Sequence, residues 1–252
     1  MPTLPSTPPK LPKRLGKPPL VDTMFEVRFE PTRDGAGQLL PGLFLSRLAA
    51  DYPRSEATPI ASIPRELRDS NPSLRYQFHY RMAGDSAAVS VGDRSAGVSV
   101  FPPYQGWEFF RPRIDAFVDV LKASALVKRL ERFSLKFTNV LDMHAERQLS
   151  LLNLDVSVGG VAAKDRGFHL RTELNDAKLL RIVEITPEAT VTLVSGATWN
   201  GLLVSIDCIK QSESGDLQEL TPAAIENVHE EVKQMFFGLI TPKTLAALSP
   251  AY

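Results

Sequence analysis

A chain of 252 residues that is 43% apolar and 23% charged is long enough, and apolar enough, to bury a substantial core. Lys plus Arg and Asp plus Glu balance at 29 each, so no net charge draws in nucleic acid or an anionic membrane. The single cysteine, Cys208, excludes an internal disulfide framework. Prolines interrupt the first residues before any apolar run of signal-peptide length develops, and no segment reaches the roughly 20 apolar residues of a membrane span. A cytoplasmic protein with no membrane association is the expectation.

Residues 1–19 hold seven prolines and the cations Lys10, Lys13, Arg14 and Lys17. Such a stretch does not bury enough apolar surface to offset the entropy of ordering, and reads as an extended or disordered arm that docks on a partner or on a second copy. Phe25, Val27 and Phe29 alternate with Glu26, Arg28 and Glu30, the period of a half-buried strand. Turn residues 31–37 precede a short helix near 41–51, with Pro41 in its first turn. Residues 53–73 read mainly as loop. Tyr76, Phe78, Tyr80 and Met82 then alternate with Arg75, Gln77, His79 and Arg81, which places His79 on a wet strand face. Two short strands near 87–91 and 96–101 follow Gly84-Asp85 and Gly92-Asp93 in hairpin spacing.

Trp107, Phe110, Ile114, Phe117, Val118 and Leu121 form a helical stripe ending near 123. Pro112 argues that the regular helix begins close to Arg111, after a lead-in turn. A long strand over about 129–142 has Phe133, Leu135, Phe137, Asn139 and Leu141 on one face and Arg132, Ser134, Lys136 and Thr138 on the other. Beyond a polar link near 143–148, strands are expected at about 151–158, 167–174, 179–186, 189–195 and 202–210. Thr221 and Pro222 start a helix that Gly238 stops, and Thr241-Pro242 starts a last one. Hairpin-spaced strands closed by helices give an antiparallel α+β fold rather than a parallel sheet. Its meanders fall in two halves, 20–145 and 146–252, each with a long amphipathic helix packed on the sheet.

Local chemistry is sparse. No phosphate loop or dinucleotide fingerprint occurs. Gly92-Asp93-Arg94-Ser95-Ala96-Gly97 misses the nucleophile elbow, because Asp93 and Arg94 occupy the wrong positions. His79, His144, His169 and His229 lack any metal-ligand spacing, so no metal and no cofactor are expected. His79 and His169 read as solvated, His229 as an edge-of-core group, and Cys208 as a buried inert thiol. Two features stand out. Asn139 lies on an apolar face, where an unpaired amide costs about 1–3 kcal/mol, so it bonds to a loop or to a ligand. The cations Arg111, Arg113, Lys122, Lys128, Arg129, Arg132 and Lys136 concentrate between 111 and 136.

Several phrases resemble those of a sporadically distributed family of uncharacterised prokaryotic proteins. They are Pro18 to Glu30 (PPLVDTMFEVRFE), Gly106-Trp107-x-x-Phe110, Phe133-x-x-Lys136-Phe137-Thr138-Asn139, and the stretch from His229 to Phe236 followed by Ile240-Thr241. Asp22-Thr23 and Lys136-Phe137 stand where that family has Glu-Ala and Arg-Tyr. The resemblance implies a prokaryotic protein of similar two-part fold and transfers no catalytic residue. Taken together, the sequence reads as a non-enzymatic interaction or accessory protein that binds a protein partner or self-associates. The alternative is a module for nucleic acid or a phosphorylated ligand, using the basic stretch. Arg111, Arg132, Lys136, Asn139 and His229 are the candidate contact residues.

Overall fold

The computed structural model describes residues 11–142, 148–162, 168–176, 179–193 and 195–252. His144, most of the polar link and the first ten residues of the expected arm lie outside them. In chain order the elements are β1 (Arg14–Leu15), β2 (Leu20–Pro31), α1 (Ala36–Leu48), β3 (Arg54–Ala57), α2 (Arg65–Ser70), β4 (Phe78–Ala83), β5 (Ala87–Gly92) and β6 (Ser95–Val100). Then come α3 (Trp107–Ala123), β7 (Val127–Asp142), β8 (Ser157–Val158), β9 (Val161–Ala162), β10 (Leu170–Asn175), β11 (Leu180–Thr192) and β12 (Thr198–Gln211). The chain closes with α4 (Pro222–Leu239), α5 (Pro242–Ala247) and β13 (Pro250–Ala251).

The antiparallel α+β expectation is met by one nine-stranded sheet in the order β10-β11-β12-β7-β2-β6-β5-β4-β3. Both meanders belong to it, because β7 pairs with β2 on one side and β12 on the other. The connection from β6 to β7 carries α3 across β2, so β6 and β7 run parallel to each other and antiparallel to the strand between them. A helix fits that crossover because parallel strands cannot be joined by a tight turn. Alternation along the central strands sends Phe25, Val27, Phe29, Phe133 and Leu135 to one face, all fully buried. There Phe117 of α3 meets Phe25 edge-on at 6.1 Å and stacks on Phe44 of α1 at 5.3 Å. Each such side chain contributes about 1.5–3 kcal/mol by leaving water. The second long helix, α4, packs over β12 and β7 on this face, with Ile225, Val228, Val232 and Phe236 turned inward. No helix among the described residues is long and apolar enough to cross a membrane.

Several local expectations shift. The first helix starts at Ala36, so Pro41 lies inside it. The missing Pro41 N–H frees the Gly37 carbonyl, and the His79 ring takes that place, its Nε2 lying 3.3 Å from Gly37 O. His79 is therefore not on a wet face: it is 1% exposed. A register shift between Phe78 and Tyr80 breaks the alternation at this residue and turns the imidazole inward. The loop expected over 53–73 contains an edge strand, a 3₁₀ turn (Pro59–Ser62) and α2. Helix α3 begins at Trp107, with the Gly106 carbonyl accepting from the Phe109 and Phe110 amides at 3.2 Å each. Gly106 has φ +101°, a conformation that favours glycine. Pro112 is thus carried in the second turn.

In the C-terminal half, the strand expected at 151–158 is a 3₁₀ turn (Gln148–Leu151) followed by the two-residue β8. The two strands expected over 179–195 are one, β11, with an irregularity between Thr186 and Ala189 around Pro187-Glu188. Gly238 does not stop α4, which continues one residue further to Leu239. Thr221 and Thr241 cap their helices as expected, accepting from the Ala224 and Thr244 amides at 3.1 and 3.2 Å.

Candidate functional site

A cleft of about 400 Å³ opens where four segments distant in sequence converge. Its floor is β7, through Phe137 and Asn139, and one wall is α4, from Glu226 to Phe237. A second wall is the lead into α3, from Tyr104 to Glu108. The last side is the arm, through Pro12 to Leu15 and Pro18 to Leu20. Over residues 11–19 the arm is extended along its own chain. Lys13 N donates to Ala251 O at 2.7 Å, Gly16 N to Ser249 O at 2.8 Å and Lys17 N to Leu248 O at 3.1 Å. Pro19 O accepts from Val140 N at 2.8 Å, which sews the arm to the strand carrying Asn139. Proline suits this role because it holds an extended backbone while giving up only donors that face away from a ladder.

The interior is aromatic. Tyr104 meets Phe137 edge-on at 6.0 Å, and Phe137 meets Phe110 at 6.4 Å. Burial drives the Tyr104 phenol well above its ordinary value, so it stays protonated. The Trp107 indole stacks flat on the His229 imidazole, with centroids 3.7 Å apart and planes within 10°. Trp107 Nε1 donates to Glu226 Oε2 at 2.9 Å, and Arg111 Nη1 reaches the same oxygen at 3.1 Å. The other oxygen, Glu226 Oε1, lies 3.1 Å from His229 Nδ1. Burial pushes His229 below its usual value against the pull of Glu226. Burial also pushes Glu226 upward, but the bonds from His229 and Trp107 and the charge of Arg111 outweigh it and keep the carboxyl below its ordinary range. A neutral imidazole thus faces an ionised carboxylate.

The cleft brings together Asn139 and His229, which are 5% and 7% exposed. Asn139 Nδ2 makes one long bond, 3.5 Å to Val204 O, and its Oδ1 accepts none among the described residues. Arg111 sits beside the cleft and is held by Asp115 at 3.0 Å and by Glu226. Arg132 and Lys136 do not join them, because strand alternation sends them to the opposite face of the sheet. There Arg132 pairs with Glu26 at 3.3 Å, and Lys136 lies across from Asp207, whose carboxyl burial pushes upward. The basic stretch is therefore not one surface. Arg113 lies 3.5 Å over the Phe109 ring, Lys122 donates to Leu220 O, and Lys128 pairs with Glu30.

Glu226, His229 and Glu230 place ligand atoms within 4.8 Å of one another, close enough for a metal ion. Their charges are already met: Trp107 and Arg111 bind Glu226, and Lys233 binds Glu230 at 2.8 Å. The donor set fits a hydrogen-bonded carboxylate–imidazole pair better than a cation site. Glu226, Tyr104 and the arm were not singled out from the sequence as site residues. Only the three-residue spacing of Glu226 and His229 on one helix signals their contact. His169 is exposed as expected, with Nδ1 2.8 Å from Thr186 Oγ1, and Cys208 is fully buried. No family model matches the chain, and no curated protein matches it.

Proposed function

We propose that this is a non-enzymatic binding protein that takes a small organic ligand with a flat apolar body into the arm-covered cleft. The observation that carries this reading is the meeting of Asn139 and His229, two buried side chains whose Oδ1 and Nε2 have no hydrogen-bond partner among the described residues, inside an aromatic cleft of about 400 Å³. Ligand sites are commonly concave, mostly apolar and furnished with a few convergent polar groups, and span about 300–1,000 Å³. An accessory protein working through its arm is supported less well, since residues 11–19 are occupied by the chain's own C-terminus and β7. The separation of Arg111 from Arg132 and Lys136 leaves a nucleic-acid reading without a continuous basic surface.

Titration with N-phenyl-1-naphthylamine, a neutral aromatic fluorophore, tests the reading. Saturable binding at one probe per chain is expected, weakened at least about tenfold by Asn139→Phe, which fills the floor. Deleting residues 1–19 removes one wall and speeds probe release. Equal affinity in wild type and a folded Asn139→Phe variant would falsify the proposal.

A further inference from the structure

Resting on the cleft-binding reading, we infer that His229 sets the chemical class of the ligand: its polar head is a neutral hydrogen-bond donor, a hydroxyl or an N–H group, rather than an anion. The argument begins at Glu226. Trp107 Nε1 and Arg111 Nη1 both hold its Oε2, which fixes the carboxylate and turns Oε1 toward the imidazole. An ionised carboxylate only accepts, so the proton of the neutral ring must be on Nδ1. The lone pair is then on Nε2. Carboxylate partners fix histidine tautomers in this way in catalytic triads and metal sites.

His229 Nε2 hydrogen-bonds to nothing among the described residues, yet the residue lines the cleft and is 7% exposed. Trp107 covers one face of the ring at 3.7 Å, so the in-plane direction of Nε2 is what the cleft offers. Nε2 is not sealed from the cleft, so a donor on the ligand can reach it and gain a hydrogen bond of about 0.5–1.5 kcal/mol. An anion placed at Nε2 would meet the lone pair and, behind it, the carboxylates of Glu226 and Glu230, whereas the cleft's cations stand on the arm wall, as Lys13 and Arg14, or are paired, as Lys233 is with Glu230. Asn139 Oδ1 is a second acceptor on the floor, which strengthens the same preference.

Two measurements test this. Long-range proton–nitrogen NMR of uniformly labelled protein, with His229 identified by the signal missing in His229→Gln, should show Nδ1 protonated and Nε2 bare at neutral pH. Calorimetric titration should then rank three probes of one shape: 2-naphthol, its methyl ether and 2-naphthoate. We expect 2-naphthol to bind at least about tenfold tighter than the ether, and the carboxylate to bind weakest. His229→Phe keeps a ring against Trp107 and should narrow the gap between 2-naphthol and the ether by at least about fivefold, the remainder being held by Asn139. An Nε2-protonated tautomer overturns the inference whatever binds. Equal affinities for 2-naphthol and the ether in wild type also overturn it, while leaving the cleft-binding reading standing. Failure of all three probes to bind instead removes the cleft-binding reading and this inference with it.

Discussion

Replacing Arg68 by methionine isolates a buried electrostatic cluster beneath α1. Arg68 and Asp93 are 5% and 7% exposed, and Arg68 Nε lies 2.7 Å from Asp93 Oδ2. His79 Nδ1 is 3.7 Å from the same oxygen. Removing one member of a buried pair leaves the other uncompensated, at a cost of about 3–5 kcal/mol. That is a large share of the roughly 5–15 kcal/mol that stabilises a folded domain. At about 2–4 °C per kcal/mol for a chain of this size, Tm should fall by about 6–20 °C near pH 7.5.

The pH dependence of that loss is the sharper test. In the wild type, burial holds His79 below its ordinary value, with Arg68 adding to the effect and Asp93 opposing it. The unfolded histidine, with a pKa of about 6.5, then binds a proton before the folded one, so His79's contribution is complete above pH 6.5 and declines as pH falls. In Arg68→Met, His79 becomes the one ion-pair partner left within 4.0 Å of Asp93 among the described residues, with Arg65 acting on it from further away, and its folded pKa rises. Its contribution is then present at low pH and lost as pH rises. The difference between the two proteins, from urea unfolding followed by circular dichroism, should shrink by at least about 1 kcal/mol between pH 7.5 and 5.5. Groups outside the cluster cancel in that difference. A loss under about 1 kcal/mol at pH 7.5, or one equal at both pH values, would refute the reasoning.

Thr23→Val removes a hydroxyl that donates to Val100 O at 3.2 Å and accepts from Val100 N at 3.0 Å at a fully buried junction of β2 and β6. Urea unfolding should show a loss of about 1–3 kcal/mol; an unchanged midpoint would mean that the backbone finds other partners. Cys208 is fully buried, and burial pushes its thiol up to about 12. Ellman's reagent at pH 8 should therefore leave the native protein unmodified and titrate one thiol per chain in guanidinium, a result that rapid native labelling would contradict. Glu219 ties the turn after β12, accepting from Ser212 Oγ at 2.8 Å and from the Ser214 and Glu213 amides at 2.7 and 3.0 Å. Burial raises its carboxyl, but these bonds win and hold it at about 2, so its contribution is present above about pH 4.5 and is lost as pH falls toward 2. In Glu219→Gln, amides 213–218 should exchange faster with solvent, and unchanged protection would count against the turn's dependence on this side chain.

What could be read along the chain was what depends on neighbours a few residues away. The alternation of Phe25, Val27 and Phe29 marked β2, and Phe133 to Leu141 marked β7. The Thr221-Pro222 and Thr241-Pro242 pairs marked two helix starts. These patterns settled the α+β class, because pleat and helix periods are local properties of the backbone. Asn139 was legible as an anomaly for the same reason: a polar amide on an apolar strand face needs a partner wherever the strand packs.

Partners were not legible, because they come from elsewhere in the chain. Nothing near His229 announced that Trp107 would stack on it or that residues 12–20 would wall the cleft, since those contacts span about a hundred residues or more and depend on how α3 crosses the sheet. His79 looked solvent-facing until a bulge in β4 and the carbonyl freed by Pro41 drew it inward. The apparent basic cluster dissolved once the sheet separated Arg111 from Arg132 and Lys136 by its own thickness. Sequence determined which segments are strands and helices and which faces are apolar. Tertiary structure decided which faces meet, and with them the cleft, because burial and hydrogen-bond satisfaction are settled only when distant segments pack.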